Sequence, residues 1–188
     1  MNRRTKLAAV AVAVLLTVGA GGSAVAVPDL AGPGKDGRPV VAREAAALTG
    51  TAKVFRPAGD DITFSFDAHL AAKDNMDPEA ATGTFRFSHY KDGGGGYAVA
   101  KVDCLLTGGK VAMVTGVVTE TDLDVFRGKR VGVTIHDLGK HDRLGYSWVG
   151  RDTEAKLPKC VSSAPFEKVK AGTGDFRVLP WQPVFPTE

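Results

Sequence analysis

The chain carries few of the residues that ordinarily do chemistry. Of its 188 residues only two are cysteine and four are histidine. Neither Cys104 nor Cys160 has a neighbouring histidine or a Cys-x-x-Cys spacing, the features that lower a thiol pKa and make a nucleophile. In "GYSWVG" Val149 stands where the second glycine of a Gly-x-Ser-x-Gly elbow belongs, so Ser147 does not read as a hydrolase nucleophile. Four consecutive glycines, Gly93 to Gly96, are not followed by Gly-Lys-Ser/Thr, and no helix opens there to cradle a phosphate. Asp60 and Asp61 are adjacent, and adjacent strand residues face opposite ways, which gives a two-carboxylate mechanism no basis. No cofactor motif is present.

Long hydrophobic runs are equally scarce. The one clear run, Leu7 to Val18, spans 12 residues, short of the roughly 20 that cross a bilayer as a helix. It follows Arg3, Arg4 and Lys6 and precedes Ala24-Val25-Ala26, a succession that reads as a secretory signal peptide over 1–26 with cleavage after Ala26. No cysteine lies at the cut, which excludes lipid attachment there. Export by the general pathway fits better than a twin-arginine signal, because Thr5-Lys6 follows the arginine pair where an apolar residue is favoured. No membrane span remains after cleavage, and the expected location is extracellular. The signal also takes the basicity with it: the 24 Lys and Arg fall to 21 without Arg3, Arg4 and Lys6, against 21 Asp and Glu. The mature chain is formally neutral and shows no basic stripe, so nucleic acid is not an expected partner.

What the chain does have is alternation. Residues 27–50 contain Pro28, Pro33 and Pro39 with little periodicity, and read as a linker with at most a helical turn through Ala42 to Leu48, dispensable to the fold. From Thr51 the period is two. Ile62, Phe64, Phe66, Ala68 and Leu70 share one face against Thr63, Ser65, Asp67 and His69; Phe85 and Phe87 repeat the pattern. "KDGGGG" reads as a flexible turn before a strand from Tyr97 to Leu106, and Val111 to Thr119 is apolar on both faces. Val131, Val133 and Ile135 alternate, as do Leu144, Tyr146 and Trp148, and "DFRVLP" supplies a last strand that Pro180 ends. About eight strands with short turns and no long amphipathic helix define an all-β domain over 51–180, a single antiparallel barrel or sandwich, with a C-terminal tail at 181–188. Two cysteines in an exported chain read as one disulfide, Cys104 to Cys160. Closing a loop of more than fifty residues contributes about 4 kcal/mol in the chain-entropy model.

The segments "GTAKVFRPAGDDITFSFDAH", "KVDCLLTGGKVAMVTGVVTE", "VGVTIHDLGKHDRLGYSW" and "GTGDFRV" resemble small secreted proteins of high-GC Gram-positive bacteria, some of them labelled "repetin". More loosely, Gly109, Ala112 and Gly116 followed by Val133, Asp137, Gly139 and Asp142 look like a widespread bacterial extracellular β-domain. The resemblance covers nearly all of the mature chain and implies export and a β fold. It implies no activity.

Chemistry concentrates at one place, "HDLGKHD", with His136, Asp137, His141 and Asp142. Strand parity points His136 outward and leaves Asp137 at a strand end and His141-Asp142 in the loop. The plainer reading is a turn in which Asp137 accepts backbone N–H bonds and Gly139 takes positive φ; the sharper one is a loop site for a hard cation through Asp137 and Asp142. Three functions follow. The leading one is a secreted, non-catalytic β-domain with a structural or cell-envelope interaction role. The second is a carrier of a small apolar molecule, for which Phe64, Phe66, Phe85 and Phe87 line a cavity. The third is an enzyme using His136 or His141 with Asp142.

Overall fold

The computed structural model describes residues 44–148, 157–162 and 164–183. The proposed signal, residues 27–43 of the proposed linker, and residues 184–188 lie outside them. Among the described residues nine antiparallel strands form one sheet: β1 (Glu44–Lys53), β2 (Asp61–Ala71), β3 (Thr82–Lys91), β4 (Gly94–Gly108), β5 (Val111–Thr121), β6 (Arg130–His136), β7 (Arg143–Trp148), β8 (Glu167–Lys168) and β9 (Arg177–Leu179). From β1 to β8 each strand pairs with the next in sequence, and β9 returns to pair with β1. The all-β class holds, as a single curled sheet. Its ends meet where Val54 bridges Val169, with Phe55 N–H donating to the Lys168 carbonyl and Lys170 N–H to that of Lys53.

Alternation in the sequence becomes burial in the structure. In β2 the residues Ile62, Phe64, Phe66, Ala68 and Leu70 are all buried, and in β3 Phe85 and Phe87 join them. Register places Phe64 opposite Phe87 and Phe66 opposite Phe85, and cross-strand aromatic pairs of this kind are a principal source of sheet stability. The facing side of the curl adds Val114, Val131, Val133, Ile135 and Leu144.

Strand β4 changes parity partway. Its register against β5 shifts between Val102 and Cys104, a bulge that inserts one unpaired residue. Val102 and Leu105 therefore both join the core, while Cys104 is buried outside that cluster and bonds Cys160. The segment around Cys160 lies on the outer face of β5 to β7. Gly132 and Gly145 let it approach: a Cβ at Gly132 would overlap the Val161 carbonyl, and one at Gly145 would come within 2.8 Å of the Ala164 and Pro165 carbonyls.

Three boundaries differ from the sequence reading. The stretch from Glu44 to Gly50, read as the end of a linker with a helical turn, is strand, and Ala46, Ala47 and Leu48 within it are buried. "EAAALTG" has helix-forming composition, but pairing with β2 on one side and β9 on the other supplies stability that local propensity does not. The glycine run is mostly strand too, since Gly94, Gly95 and Gly96 pair with Lys91, Tyr90 and His89 and leave only Asp92-Gly93 as the turn. Finally, the proposed tail begins inside the fold: Trp181 packs on the core and its Nε1–H donates to the Asn75 carbonyl at 2.7 Å. The one strand beyond the eight read from the sequence, β8, is a two-residue element just after the crossover that the sequence reading left irregular; residues 149–156 and 163 of that crossover fall outside the described residues.

Candidate functional site

The "HDLGKHD" loop is a fastening. Asp137 N–H donates to the Lys110 carbonyl at 2.8 Å, and its carboxylate accepts from Gly139 N–H at 3.3 Å and Val178 N–H at 3.4 Å. Asp142, placed in the open loop by sequence reading, is 1 % exposed. One of its oxygens accepts Leu138 N–H at 2.7 Å, the other Phe176 N–H at 3.1 Å. The aspartates thus tie the loop to the segment carrying β9, because backbone N–H groups there lack sheet partners and a carboxylate is the strongest acceptor within reach. His136 is half-buried with its ring 5.9 Å from that of Phe166, and His141 is exposed. Gly139 has φ of +63°. Among the described residues no three of His, Cys, Asp or Glu stand together at spacing fit for a metal ion.

Phe64, Phe66 and Phe85 are packed into the core, while Phe87 both stacks on Phe64 and borders an open cleft. Phe64 stacks on Phe66 and Phe87 with centroids 6.1 and 5.7 Å apart, Phe66 stacks on Phe85 at 5.6 Å, and Tyr146 and Phe176 pack against the group. Aromatic side chains that satisfy one another in this way are core.

An open cleft of about 420 Å³ does exist, at the end of the sheet where the β1–β2, β3–β4 and β5–β6 connections meet. Phe87, Ala98, Leu123 and Phe126 give it an apolar lining, Gly94 to Gly96 form a wall without side chains, and Asp60, His89 and Lys91 stand among its lining residues. Asp60 Oδ1 pairs with His89 Nε2 at 2.7 Å and Oδ2 with Lys91 Nζ at 3.4 Å. The hydrogen bond from His89, opposed by desolvation and aided by Lys91, holds the Asp60 carboxyl below the usual carboxylate range. An apolar pocket with a few fixed polar groups is the ordinary form of a small-ligand site. Sequence reading missed it. The available signal is the glycine run, which reads as a turn, and His89, which shares the parity of Phe85 and Phe87; the connections that complete the cleft carry no such pattern.

A second polar group holds the outer crossover. Arg130 Nε donates to Asp103 Oδ2 at 2.8 Å and its guanidinium also reaches the Leu157 carbonyl at 2.9 Å, while Thr115 donates to Asp103 Oδ1 at 2.6 Å and accepts Cys160 N–H at 3.2 Å. These contacts surround the disulfide and leave Thr115 fully buried.

No family model, curated protein or solved structure matches the chain. What the fold and site define by themselves is a disulfide-fastened, curled antiparallel β-domain with an apolar end cleft. Among the described residues no helix is long and apolar enough to cross a membrane.

Proposed function

We propose that this protein is a secreted, non-catalytic interaction domain of the same kind as the small exported proteins its sequence resembles, and that it engages an extracellular or cell-envelope partner through the end cleft. The observation that carries this reading is the cleft itself: about 420 Å³ of apolar-lined space beside a core occupied by stacked rings. The partner presents an apolar group to Phe87, Leu123 and Phe126 and a polar group to the Asp60, His89 and Lys91 cluster. A catalytic role at 136–142 is the weaker reading, because Asp142 gives its two oxygens to the backbone N–H groups of Leu138 and Phe176 and, among the described residues, has neither histidine as a hydrogen-bond partner. The carrier function remains the second reading, moved from the centre of the sheet to its end.

A neutral apolar dye tests the site without a charge of its own. N-phenyl-1-naphthylamine titrated into the mature protein is expected to show a saturable rise in emission, with affinity reduced at least tenfold by Leu123→Glu, a change at a side chain that is 38 % exposed. A flat titration, or equal affinity in the variant, overturns the cleft as a binding site. Sedimentation of the mature protein with washed cell envelopes, competed by the same dye, tests the envelope partner.

A further inference from the structure

A separate surface carries positive charge that no acidic side chain among the described residues pairs with. Register pairs Arg143 at the start of β7 with His136 on β6 and with Lys168 on β8. Residues directly opposite one another project from the same face with Cβ atoms about 5 Å apart. The neighbouring Leu144 is buried in the core, so His136, Arg143 and Lys168 form a row on the outer face. The turn between β6 and β7 adds Lys140 and His141, and a cleft of about 230 Å³ opens against Arg143, Lys168 and Val169.

Like charges directly opposite in a sheet are destabilising, and the common relief is an acid placed between them. Here the nearby acids among the described residues are engaged elsewhere. Glu167 pairs with Arg56, Asp137 lies 3.8 Å from Lys110, and Asp142, though it borders the cleft, accepts N–H bonds from Leu138 and Phe176. Among the described residues Lys140, Arg143 and Lys168 have no ion-pair partner, and they differ from other unpaired basic residues in standing together around one cleft. The mature chain as proposed has equal numbers of acidic and basic residues, so this is a local concentration and not a property of the whole.

We infer that this cleft is a phosphate-binding site. Three side chains of fixed positive charge exceed what one carboxylate neutralises, and they suit a phosphate group, which carries one negative charge as a diester and about 1.5 to 2 as a monoester at neutral pH and offers several acceptor oxygens. Arg143 offers parallel N–H donors to two phosphate oxygens, Lys140 and Lys168 supply point charges beside it, and His141 adds a ring N–H donor. This site does not rest on the end cleft, and either can fail without the other.

The test uses inorganic phosphate, acetate and a soluble poly(glycerol phosphate) at constant ionic strength, with thermal unfolding and amide NMR shifts as readouts. Phosphate is expected to raise the midpoint and to shift amides of 138–144 and 167–171 saturably, with acetate at least tenfold weaker. Arg143→Gln with Lys168→Gln removes the repelling pair, so that variant is expected to unfold no earlier than the parent without phosphate and to lose the phosphate-dependent rise. Tighter binding of the polymer than of inorganic phosphate identifies a phosphodiester polymer as the source of the group, and the reverse identifies a free phosphate; both support the site. Equal responses to phosphate and acetate, or an unchanged phosphate response in the double variant, overturn it.

Discussion

At the scale of single residues the most consequential position is Asp142. A lone buried carboxylate is expensive unless it is hydrogen-bonded, and here its two oxygens take N–H groups from two different segments. Asp142→Ala leaves both donors without that acceptor, and a group that stays buried and unsatisfied, as Phe176 N–H would, costs about 1–3 kcal/mol, with a smaller cost at the part-buried Leu138 N–H. A loss of about 2 kcal/mol or more is expected in denaturant unfolding. His141→Ala, at an exposed side chain, should stay within about 0.5 kcal/mol. Gly139→Ala should lie between them at about 1 kcal/mol, since φ there is +63°. If histidine loss proves the costlier and a chelator reproduces it, the loop is a metal site after all. His69 offers a different measurement. It stands between Glu44, 2.5 Å from Nδ1, and Asp67, 2.9 Å from Nε2. Burial works against the charged ring, but the two carboxylates outweigh it and raise its pKa above the ordinary value. The stabilisation this represents is complete below the unfolded-state pKa, about 6.5, and is lost as pH rises through the higher folded-state value. Thermal midpoints between pH 5.5 and 8.5 should therefore fall more in the wild type than in His69→Gln.

At the scale of elements, β1 and the outer crossover decide the stability of the sheet. Strand β1 is hydrogen-bonded on both edges and contributes Ala46, Leu48 and Ala52 to the core. A chain beginning at Gly50 loses six residues of that strand and the part that pairs with β9. Its thermal midpoint is expected to fall by more than about 10 °C relative to a chain beginning at Val27, or the shortened chain to fail to fold; an unchanged midpoint would show that β1 is peripheral. The crossover is held by the disulfide, by Arg130 with Asp103, and by close backbone approach at Gly132 and Gly145. A side chain at either glycine meets carbonyl groups of the crossover. Gly132→Val should accordingly speed hydrogen exchange in 157–162 before it affects β2 and β3.

At the scale of the whole molecule, the fold is a meander whose ends are bonded together. Among those bonds are the Val54–Val169 bridge, the pairing of β9 with β1, the N–H groups of Thr51 and Lys53 donating to Asp175 and Thr173, the Arg56–Glu167 ion pair and the two aspartates. The disulfide ties residues 56 positions apart, which the chain-entropy account values at about 4 kcal/mol. Reduction should lower the midpoint by roughly 8–16 °C for a domain of this size, measured by calorimetry with and without a phosphine reductant. A shift below about 3 °C would mean that Arg130, Asp103 and Thr115 hold the crossover without it.

Period-two patterning is local and survives any tertiary arrangement, which is why the faces of β2, β3 and β6 are legible residue by residue, and why an all-β class follows. The cysteine pair was legible for another reason: with two thiols there is one pairing. What could not be read from the chain was anything that depends on which strands become neighbours. "EAAALTG" becomes a strand because β2 and β9 flank it. Asp142 lies in a polar turn by sequence and is buried because the segment around Phe176 folds over it. The phenylalanine face is a filled core because register stacks the rings, so the open space lies at the end of the sheet instead. The basic row joins His136, Arg143 and Lys168 from three strands, the last 25 positions beyond Arg143, through pairing alone. Charge and hydropathy are properties of the sequence; adjacency belongs to the sheet, and every site described depends on adjacency.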